Sequence, residues 1–217
     1  MIFLSILIFQ MNEQEIFWKD TYADKYIKKN SQFNIDKGVI AWKKMLNKCQ
    51  NRKFNILECG SNIGRNIKQI KKIHPDSKCS IIEINNRALE ICKANNTIEN
   101  AYHGSILDCD FEENQFDIVF TMGVLIHIAP NDLLRNISKM VKLSRKYVLI
   151  GEYFDRNPST LDYQGEKNKL FKRDFGKYFL ENFEGKCIDY GFLWSEEFES
   201  AGFDDITWWL FDINSMN

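Results

Sequence analysis

The sequence predicts an α/β fold, in which a mostly parallel, seven-stranded sheet lies between two layers of helices. Short β-branched and apolar runs alternate along the chain with helical patterns. The central runs are apolar on both faces, as expected of strands that helices cover from both sides. With only three prolines and no Gly/Ser-rich linker, residues 12–217 are expected to form a single domain.

Seven segments have the composition of strands. The last of them contains Trp208 and Trp209, which are expected to pack on opposite faces of the sheet because adjacent strand residues point in opposite directions. The seven predicted strands are Phe54–Glu58, Cys79–Glu83, Ala101–His103, Phe116–Thr121, Tyr147–Glu152, Cys187–Phe192 and Ile206–Phe211.

Helices are expected before and between these strands. Two precede the first strand, at about residues 12–30 and 35–49. After the first strand, Ile63, Ile67 and Ile70 recur at helical spacing, and a later amphipathic helix begins at Pro130. Residues 153–180 are polar and are predicted to consist mainly of turns, at the sheet edge where open α/β folds bind ligands.

The composition excludes several classes of protein. The 217 residues are 44% apolar and 27% charged, which excludes intrinsic disorder and fibrous repeats. A net charge of -1 gives no strong overall field, so neither nucleic acid nor an anionic membrane is an expected partner. Any recognition of anions must therefore be local.

The cysteines and the N-terminus point to a cytoplasmic protein. Six cysteines are scattered without a C-x-x-C pair, so we expect reduced thiols and no metal site. The apolar run at residues 1–10 is about half the length that spans a bilayer and lacks the features of a signal peptide. Residues 1–11 are therefore predicted to be an N-terminal extension, in which residues 1–10 either precede the native start or attach loosely to the domain.

The clearest functional signal is the segment 58–64, ECGSNIG, between the first strand and the isoleucine helix. Gly60 would let a ligand approach the backbone with no Cβ in between, and Gly64 would let the helix pack close to the strand. Asn62 occupies a position at which turns of this kind commonly have a third glycine, and asparagine can replace it because it tolerates positive φ. The segment therefore predicts a ligand-binding turn, with a plain strand-to-helix turn as the alternative.

Two further residues strengthen this signal. Glu83 ends the second strand, nineteen residues beyond Gly64, where a carboxylate can accept hydrogen bonds from both hydroxyls of a ribose. His127 follows the fourth strand among apolar residues. We predict that it either packs in the core or acts on the substrate.

The acid two residues before the first glycine, with glycines four apart, resembles the first motif of the class I methyltransferases, whose fold is Rossmann-like. This resemblance implies S-adenosyl-L-methionine as the cofactor. Ser105 stands where the class usually has an acid that contacts adenine, so the adenine contact falls either to Ser105, beside Ile106, or to Asp108. The cofactor-binding residues that the resemblance implies are Glu58, Gly60, Ser61, Asn62, Gly64, Glu83, Ile84, Ser105, Ile106 and Met122.

A narrower resemblance extends over nearly the whole chain after Met11. The early Phe17-Trp18 pair and the segments 151–154, 170–175, 189–192 and 204–209 are similar to the pseudaminic acid biosynthesis-associated methylase family. This resemblance implies a cytoplasmic enzyme that methylates a sugar or sugar-linked acceptor in nonulosonic acid or surface-glycan biosynthesis.

Methyl transfer is an in-line displacement that depends mainly on positioning, with a smaller contribution from a general base. His127 is the first candidate base because its ordinary pKa lies near neutrality. Glu152 and Tyr153 come next, at the end of the fifth strand, and Asp189 and Tyr190 are weaker candidates. If the acceptor carries a carboxylate or phosphate, its candidate ligands are Arg156, Lys172 and Arg173, although such clusters are more often solvated surface.

Three other functions remain open at the level of sequence. A nicotinamide-dependent oxidoreductase would share the sheet and the strand-end acid, but the segment 58–64 lacks the G-x-G-x-x-G spacing of that class. A methyltransferase with a peptide or protein acceptor would share every motif described above. A regulatory module that binds S-adenosylmethionine without catalysis would also share these motifs. The sequence gives no oligomeric state.

Overall fold

The computed structural model describes residues 12–22, 26–28, 30–49 and 53–214. For residues 20 and 21, within the first range, it describes the backbone but not the side chains. The predicted N-terminal extension, residues 1–11, lies outside the described residues. None of the described helices is both long enough and apolar enough to cross a membrane.

Among the described residues, seven strands form one sheet and two more form a separate hairpin. The strands are β1 Asn55–Cys59, β2 Lys78–Glu83, β3 Ala101–His103, β4 Phe116–Met122, β5 Ser144–Glu152, β6 Ser159–Tyr163, β7 Glu166–Lys172, β8 Lys186–Leu193 and β9 Ile206–Asp212. The order in the sheet is β3-β2-β1-β4-β5-β9-β8, while β6 pairs with β7 alone. Strands β1 to β5 run parallel, and β9 is antiparallel to both of its neighbours. The predicted mostly parallel, seven-stranded sheet is confirmed.

Helices cover both faces of this sheet. They are α1 Glu13–Ile16, α2 Ile35–Met45, α3 Arg65–Ile73, α4 Asn86–Asn95, α5 Pro130–Leu143, α6 Phe175–Asn182 and α7 Ser195–Phe198. A π-helical turn, Phe17–Thr21, continues α1, and single 3-10 turns lie at Leu125–His127 and Glu199–Ala201. Where one helix was expected at about 12–30, the described residues therefore form a short capped helix and a π turn, with a further helical stretch at 26–28.

The two faces of the sheet bury separate apolar cores. Trp42 of α2 and Ile67 of α3 belong to the first core, together with Trp208. Ile137 of α5 belongs to the second, together with Trp209. The two adjacent tryptophans thus point to opposite faces, which confirms the prediction from strand alternation.

The segment 153–180 corrects the sequence prediction, because it contains the β6–β7 hairpin and α6 where mainly turns were expected. Leu170 and Phe171 of β7 are buried, whereas much of β6 is exposed and polar. Asp174 begins α6 by accepting a hydrogen bond from the Lys177 amide. The hairpin was missed because few of its residues contribute to the core, so it lacks a clear alternation of apolar residues.

Candidate functional site

A crevice opens at the carboxyl ends of the parallel strands β1 to β4. In open α/β sheets this edge is where ligands bind. The segments that line the crevice are the turn after β1, the ends of β2 and β4, the turn after β3, the 3-10 turn after β4 and the N-terminal residues. Its main lining residues are Trp18, Tyr26, Gly60, Ser61, Asn62, Arg65, Glu83, Ile84, Ser105, Ile106, Met122, His127 and Asn136.

The turn after β1 is held in a conformation that brings its backbone to the crevice. Gly60 has φ +79°, and a Cβ on it would lie 2.6 Å from Val124 Cγ2. Asn62 has φ +47°, and Gly64, with φ +79°, precedes the first residue of α3. The amides of Gly60 and Ser61 both donate to the carbonyl of Ile82, which ties the turn to β2. The structure thus brings Gly60, Ser61 and Asn62 to the wall of the crevice, as predicted for this segment.

Glu83 links this turn to the next one. Its Oε2 accepts a hydrogen bond of 2.6 Å from the Asn62 amide, and its Oε1 accepts one of 2.8 Å from the Asn85 amide. The side chain is buried, and burial raises the pKa of Glu83 against the opposing effect of the backbone amides. Glu83 and Ile84 both line the crevice. Each carboxylate oxygen keeps a second lone pair with which it can accept a ligand hydroxyl.

Glu58 lies beneath the crevice and is not one of its lining residues. Its Oε1 accepts a hydrogen bond of 2.7 Å from Asn66 Nδ2, and its Oε2 has no partner among the described residues. Burial raises the pKa of Glu58 to about 8. The carboxyl group therefore supports the wall of the crevice from below, through Asn66, which does line it.

The wall next to β3 and β4 is mostly apolar. Ile106 and Met122 are buried and line the crevice beside Ser105. The Ser105 hydroxyl accepts only a long hydrogen bond of 3.4 Å from the Leu107 amide. This wall can therefore hold a flat apolar group and offers a hydroxyl at its edge.

His127 is buried and also lines the crevice. Its Nδ1 lies 2.8 Å from the carbonyl oxygen of Lys169, and since a carbonyl only accepts, Nδ1 carries the proton in this hydrogen bond. The imidazole packs against Trp18, with ring centroids 4.4 Å apart, and against Tyr163 at 4.9 Å. Burial lowers the pKa of His127 to about 4, so the ring is neutral near pH 7 and Nε2 carries a lone pair.

Glu152 and Tyr153, the next candidate bases, lie away from the crevice wall, as do the weaker candidates Asp189 and Tyr190. Glu152 is fully buried and accepts hydrogen bonds of 3.0–3.3 Å from the amides of Val124, Leu125 and Ile126. These three hydrogen bonds anchor the turn that carries His127. Burial raises the pKa of Glu152 to about 7. Tyr153 lines a second cleft, formed by the residues just after β5, the end of β7 and residues of β8 and β9, and its hydroxyl donates to Asp204.

The three predicted anion-binding residues are not among those that line the crevice. Arg156 is exposed. Lys172 lines the second cleft, with its Nζ 5.5 Å from the centre of the Tyr153 ring. Arg173 packs over the ring of Tyr178 at 5.4 Å.

Sequence reasoning missed the N-terminal segment, which forms much of the crevice wall. Asn12 caps α1 and donates from Nδ2 to Asp132 of α5 at 3.1 Å. Farther along the segment, the carbonyl of Lys19 accepts a hydrogen bond of 2.6 Å from Asn85 Nδ2, at the start of α4. The segment therefore runs between two sides of the crevice and brings Trp18 against His127. The Phe17-Trp18 pair was noticed only as part of a family resemblance.

Several buried polar atoms on the crevice wall have no partner among the described residues. Polar groups buried without a partner are costly in a folded protein and so mark places where a ligand or water completes the hydrogen bonding. The atoms are Trp18 Nε1, Asn62 Oδ1, Arg65 Nε, Asn66 Oδ1 and Asn136 Oδ1. The crevice thus offers donors and acceptors to a ligand with several polar groups.

Comparison with known proteins identifies the chemistry. A protein-family model described as a methyltransferase domain matches residues 57–148, less than half of the chain. These residues include the glycine turn, Glu83 and His127. No curated protein matches the chain.

Solved structures show the same fold over most of the chain. The putative methyltransferase of Haloferax volcanii, solved with the Trm112 methyltransferase activator, is 9% identical, with a TM-score of 0.68 over 92% of this chain and 98% of that one. Magnesium protoporphyrin IX methyltransferase from Synechocystis, with bound S-adenosylmethionine, is 13% identical, with a TM-score of 0.64 over 94% of this chain and 98% of that one. The Burkholderia thailandensis 1,6-didemethyltoxoflavin N1-methyltransferase, with bound S-adenosylhomocysteine, is 10% identical, with a TM-score of 0.63 over 88% and 81% of the two chains.

These findings confirm the predicted fold and the predicted class of chemistry. The chain carries a methyltransferase domain that uses S-adenosylmethionine as its methyl donor. The alternative of a nicotinamide-dependent oxidoreductase is therefore wrong. The residues of the crevice fit this donor, because the unpartnered polar atoms and the bare Gly60 leave both hydrogen bonds and space for it.

The buried Glu58 predicts an unusual dependence of stability on pH. Its pKa is about 8 in the folded chain, against an ordinary 4.5, so the native state binds more protons than the unfolded state between these values. The free energy of unfolding should therefore fall as the pH rises from 5 to 8, and Glu58→Gln should remove part of this fall. The free energy of unfolding of the variant, taken relative to that of the unmodified protein, should therefore rise by on the order of a few kcal/mol from pH 5 to pH 8. Denaturant unfolding at pH 5, 6.5 and 8 measures this, and equal slopes for both proteins would contradict it.

Proposed function

We propose that this methyltransferase acts on a sugar or sugar-linked acceptor, in nonulosonic (pseudaminic) acid or surface-glycan biosynthesis. One observation carries the proposal. The crevice beside His127 combines aromatic rings, from Trp18 and Tyr26, with the side-chain amides of Asn12, Gln14 and Asn136. Aromatic faces suit the C–H faces of a sugar ring, and amides suit its hydroxyls. The pathway rests on the family resemblance alone.

In this proposal the glycine turn and Glu83 hold the donor. Glu83 accepts hydrogen bonds from the ribose hydroxyls, and the bare backbone at Gly60 lets the donor approach closely. Ile84, Ile106 and Met122 enclose the apolar surface of the donor, with Ser105 at the edge of the adenine. Glu58 and Gly64 act indirectly, by fixing Asn66 and the start of α3. S-adenosylmethionine supplies an electrophilic methyl group on a sulfonium.

His127 is the proposed general base. Its hydrogen bond to the Lys169 carbonyl fixes the tautomer, so Nε2 can accept a proton from an acceptor hydroxyl. Glu152 holds the preceding residues 124–126 and thereby positions His127, so we propose a positioning role for it. Tyr153, Arg156, Lys172 and Arg173 take no part in this proposed mechanism because they do not line the crevice.

A peptide or protein acceptor is the second candidate, and the second cleft favours it. Tyr190, Phe192 and Trp194 are exposed at alternate positions along and just beyond β8, the edge strand. Tyr190 and Phe192 line the second cleft with acidic residues such as Glu196 and Glu199. Exposed apolar side chains rimmed by charge are typical of surfaces that contact other proteins.

A cytoplasmic location is part of the same proposal. All six cysteines are unpaired, in keeping with a reducing compartment. Among the described residues, no group of His, Cys, Asp and Glu is placed to hold a metal ion.

The acceptor can be identified directly. The protein is incubated with methyl-labelled S-adenosylmethionine and separate pools of nucleotide-linked sugars, free nonulosonic acids and peptides, and mass spectrometry locates the label. We expect label in a sugar or sugar-linked product. Label confined to peptides would move the proposal to the second candidate, and donor binding without transfer to any of the three pools would favour a regulatory module.

His127→Asn tests the proposed base. The asparagine amide can replace Nδ1 as the donor to the Lys169 carbonyl, but it offers no basic nitrogen at the position of Nε2. Because a base with a pKa of about 4 is weak, we expect kcat to fall by about 10²-fold, the low end of general-base contributions, with the Kd of S-adenosylhomocysteine within about twofold of the original. Because the pKa of His127 is about 4, the unmodified enzyme should show no loss of kcat through His127 protonation between pH 5.5 and 8. Unchanged turnover in the variant would return His127 to a packing role.

A further inference from the structure

We propose that Lys169 is a positioning residue, which places His127 for catalysis by holding the N-terminal segment, residues 12–22, closed over it. The inference rests on the proposed function, because His127 is the proposed general base. Lys169 lies on β7 of the hairpin, and it alone of the described lysines is buried. The hairpin and the N-terminal segment both lie outside residues 57–148, the part of the chain that the methyltransferase family model matches.

The backbone of Lys169 orients the imidazole. Its carbonyl oxygen accepts the hydrogen bond of 2.8 Å from His127 Nδ1, which leaves the lone pair of Nε2 for the acceptor. The next two residues of β7, Leu170 and Phe171, are buried, and Leu170 belongs to the second core. The carbonyl that fixes the tautomer of His127 is therefore anchored to the body of the domain.

The side chain of the same residue reaches the N-terminal segment. Lys169 Nζ donates a hydrogen bond of 3.3 Å to the carbonyl oxygen of Glu13 and lies 3.8 Å from Glu13 Oε2. It also lies 5.8 Å from the centre of the Phe17 ring, within the range of a cation–π contact. The carbonyl oxygen of Asn168 accepts a hydrogen bond of 3.3 Å from Gln14 Nε2. Two adjacent residues of β7 thus hold the beginning of the segment.

The segment in turn covers His127. The Trp18 ring packs against the imidazole with ring centroids 4.4 Å apart, and Tyr163 of the hairpin packs against it at 4.9 Å. Tyr22 of the segment contacts Tyr163 edge-on at 5.6 Å. These rings keep water from the imidazole, and this burial lowers the pKa of His127. Lys169 therefore joins the hydrogen bond that orients the base to the contacts that shield it.

A buried ammonium group is costly at this contact. Methionine would fill similar space without removing a charge from water, whereas a buried ammonium must be hydrogen-bonded to offset its lost solvation. The Glu13 side chain is largely exposed, and ion pairs with an exposed partner contribute little to stability. The ammonium group of Lys169 therefore serves to fix where the segment docks, more than to stabilise the fold as a whole.

Three variants test this role. Lys169→Met removes the charge but keeps an unbranched side chain and the backbone carbonyl that binds His127. Lys169→Arg keeps the charge, and Lys167→Met, at an exposed position of the same strand, is the control of equal charge change.

Two measurements follow the coupling without donor or acceptor. NMR titration of ¹⁵N-histidine-labelled protein gives the pKa of His127, with the imidazole signals of His74 and His103 as internal references. Amide hydrogen exchange, followed by mass spectrometry, gives the protection of residues 12–22. Transfer of labelled methyl groups to the acceptor pools, measured from pH 5.5 to 8, adds the effect on catalysis.

In Lys169→Met the pKa of His127 should rise from about 4 toward the ordinary 6.5, by about 1 or more, because water reaches the ring. Amide exchange in residues 12–22 should become about tenfold faster or more, because the segment opens more often. Methyl transfer by this variant should decline as the pH falls through the new pKa, whereas transfer by the unmodified protein stays level. Lys169→Arg should restore most of each property, and Lys167→Met should change none of them.

Two results would overturn the inference alone. In the first, Lys169→Met leaves both the pKa of His127 and the exchange of residues 12–22 unchanged. In the second, the signals of His74 and His103 move as much as that of His127, as they would if Lys169 served only the fold as a whole. The proposed function fails separately, through an unmodified protein that transfers no label or through full turnover in His127→Asn, because neither NMR nor hydrogen exchange needs a substrate.

Discussion

The crevice depends on one interaction, the hydrogen bonding of the Glu83 carboxylate to the amides of Asn62 and Asn85. Within five residues, Gly60, Asn62 and Gly64 all adopt positive φ, a backbone conformation that costs free energy for most residue types. The carboxylate fixes this turn against the start of α4. The polar backbone of two neighbouring strand ends is thereby organised before any ligand binds, which reduces the reorganisation that binding requires.

Buried acids recur at the strand ends around the crevice, and each has a distinct partner. Glu58 holds Asn66, Glu83 holds two turns, and Glu152 holds the residues before His127. Burial raises the pKa of all three carboxyl groups because it removes them from water. This loss of solvation lowers the stability of the fold, which is the cost of placing polar groups near the site. Such perturbed groups cluster at functional sites more often than elsewhere, although structural networks also contain them.

Local patterns in the sequence predicted the sheet and the part of the crevice formed by the turn after β1 and the end of β2, because strand and helix periodicity is encoded in neighbouring residues. The carboxyl ends of parallel strands meet at one edge, so Gly60 and Glu83 could be placed together without knowing their contacts. The remaining walls depend on contacts between distant segments, such as Asn12 with Asp132, and no local pattern encodes them. For the same reason the sequence could not show that Arg65 enters the crevice while Arg156 stays exposed.

The central claim, that the turn after β1 binds the methyl donor, is tested most directly by calorimetric titration of S-adenosylhomocysteine into Gly60→Ala and Gly165→Ala. Both glycines have positive φ, but a Cβ at Gly60 meets Val124 on the crevice wall, whereas one at Gly165 meets nothing. Both variants should therefore lose about 1 kcal/mol or more of stability. We expect Gly60→Ala alone to lose at least about tenfold in affinity, a loss of roughly 1.4 kcal/mol. Equal affinity in the two variants, or no binding by the unmodified protein, would contradict the account.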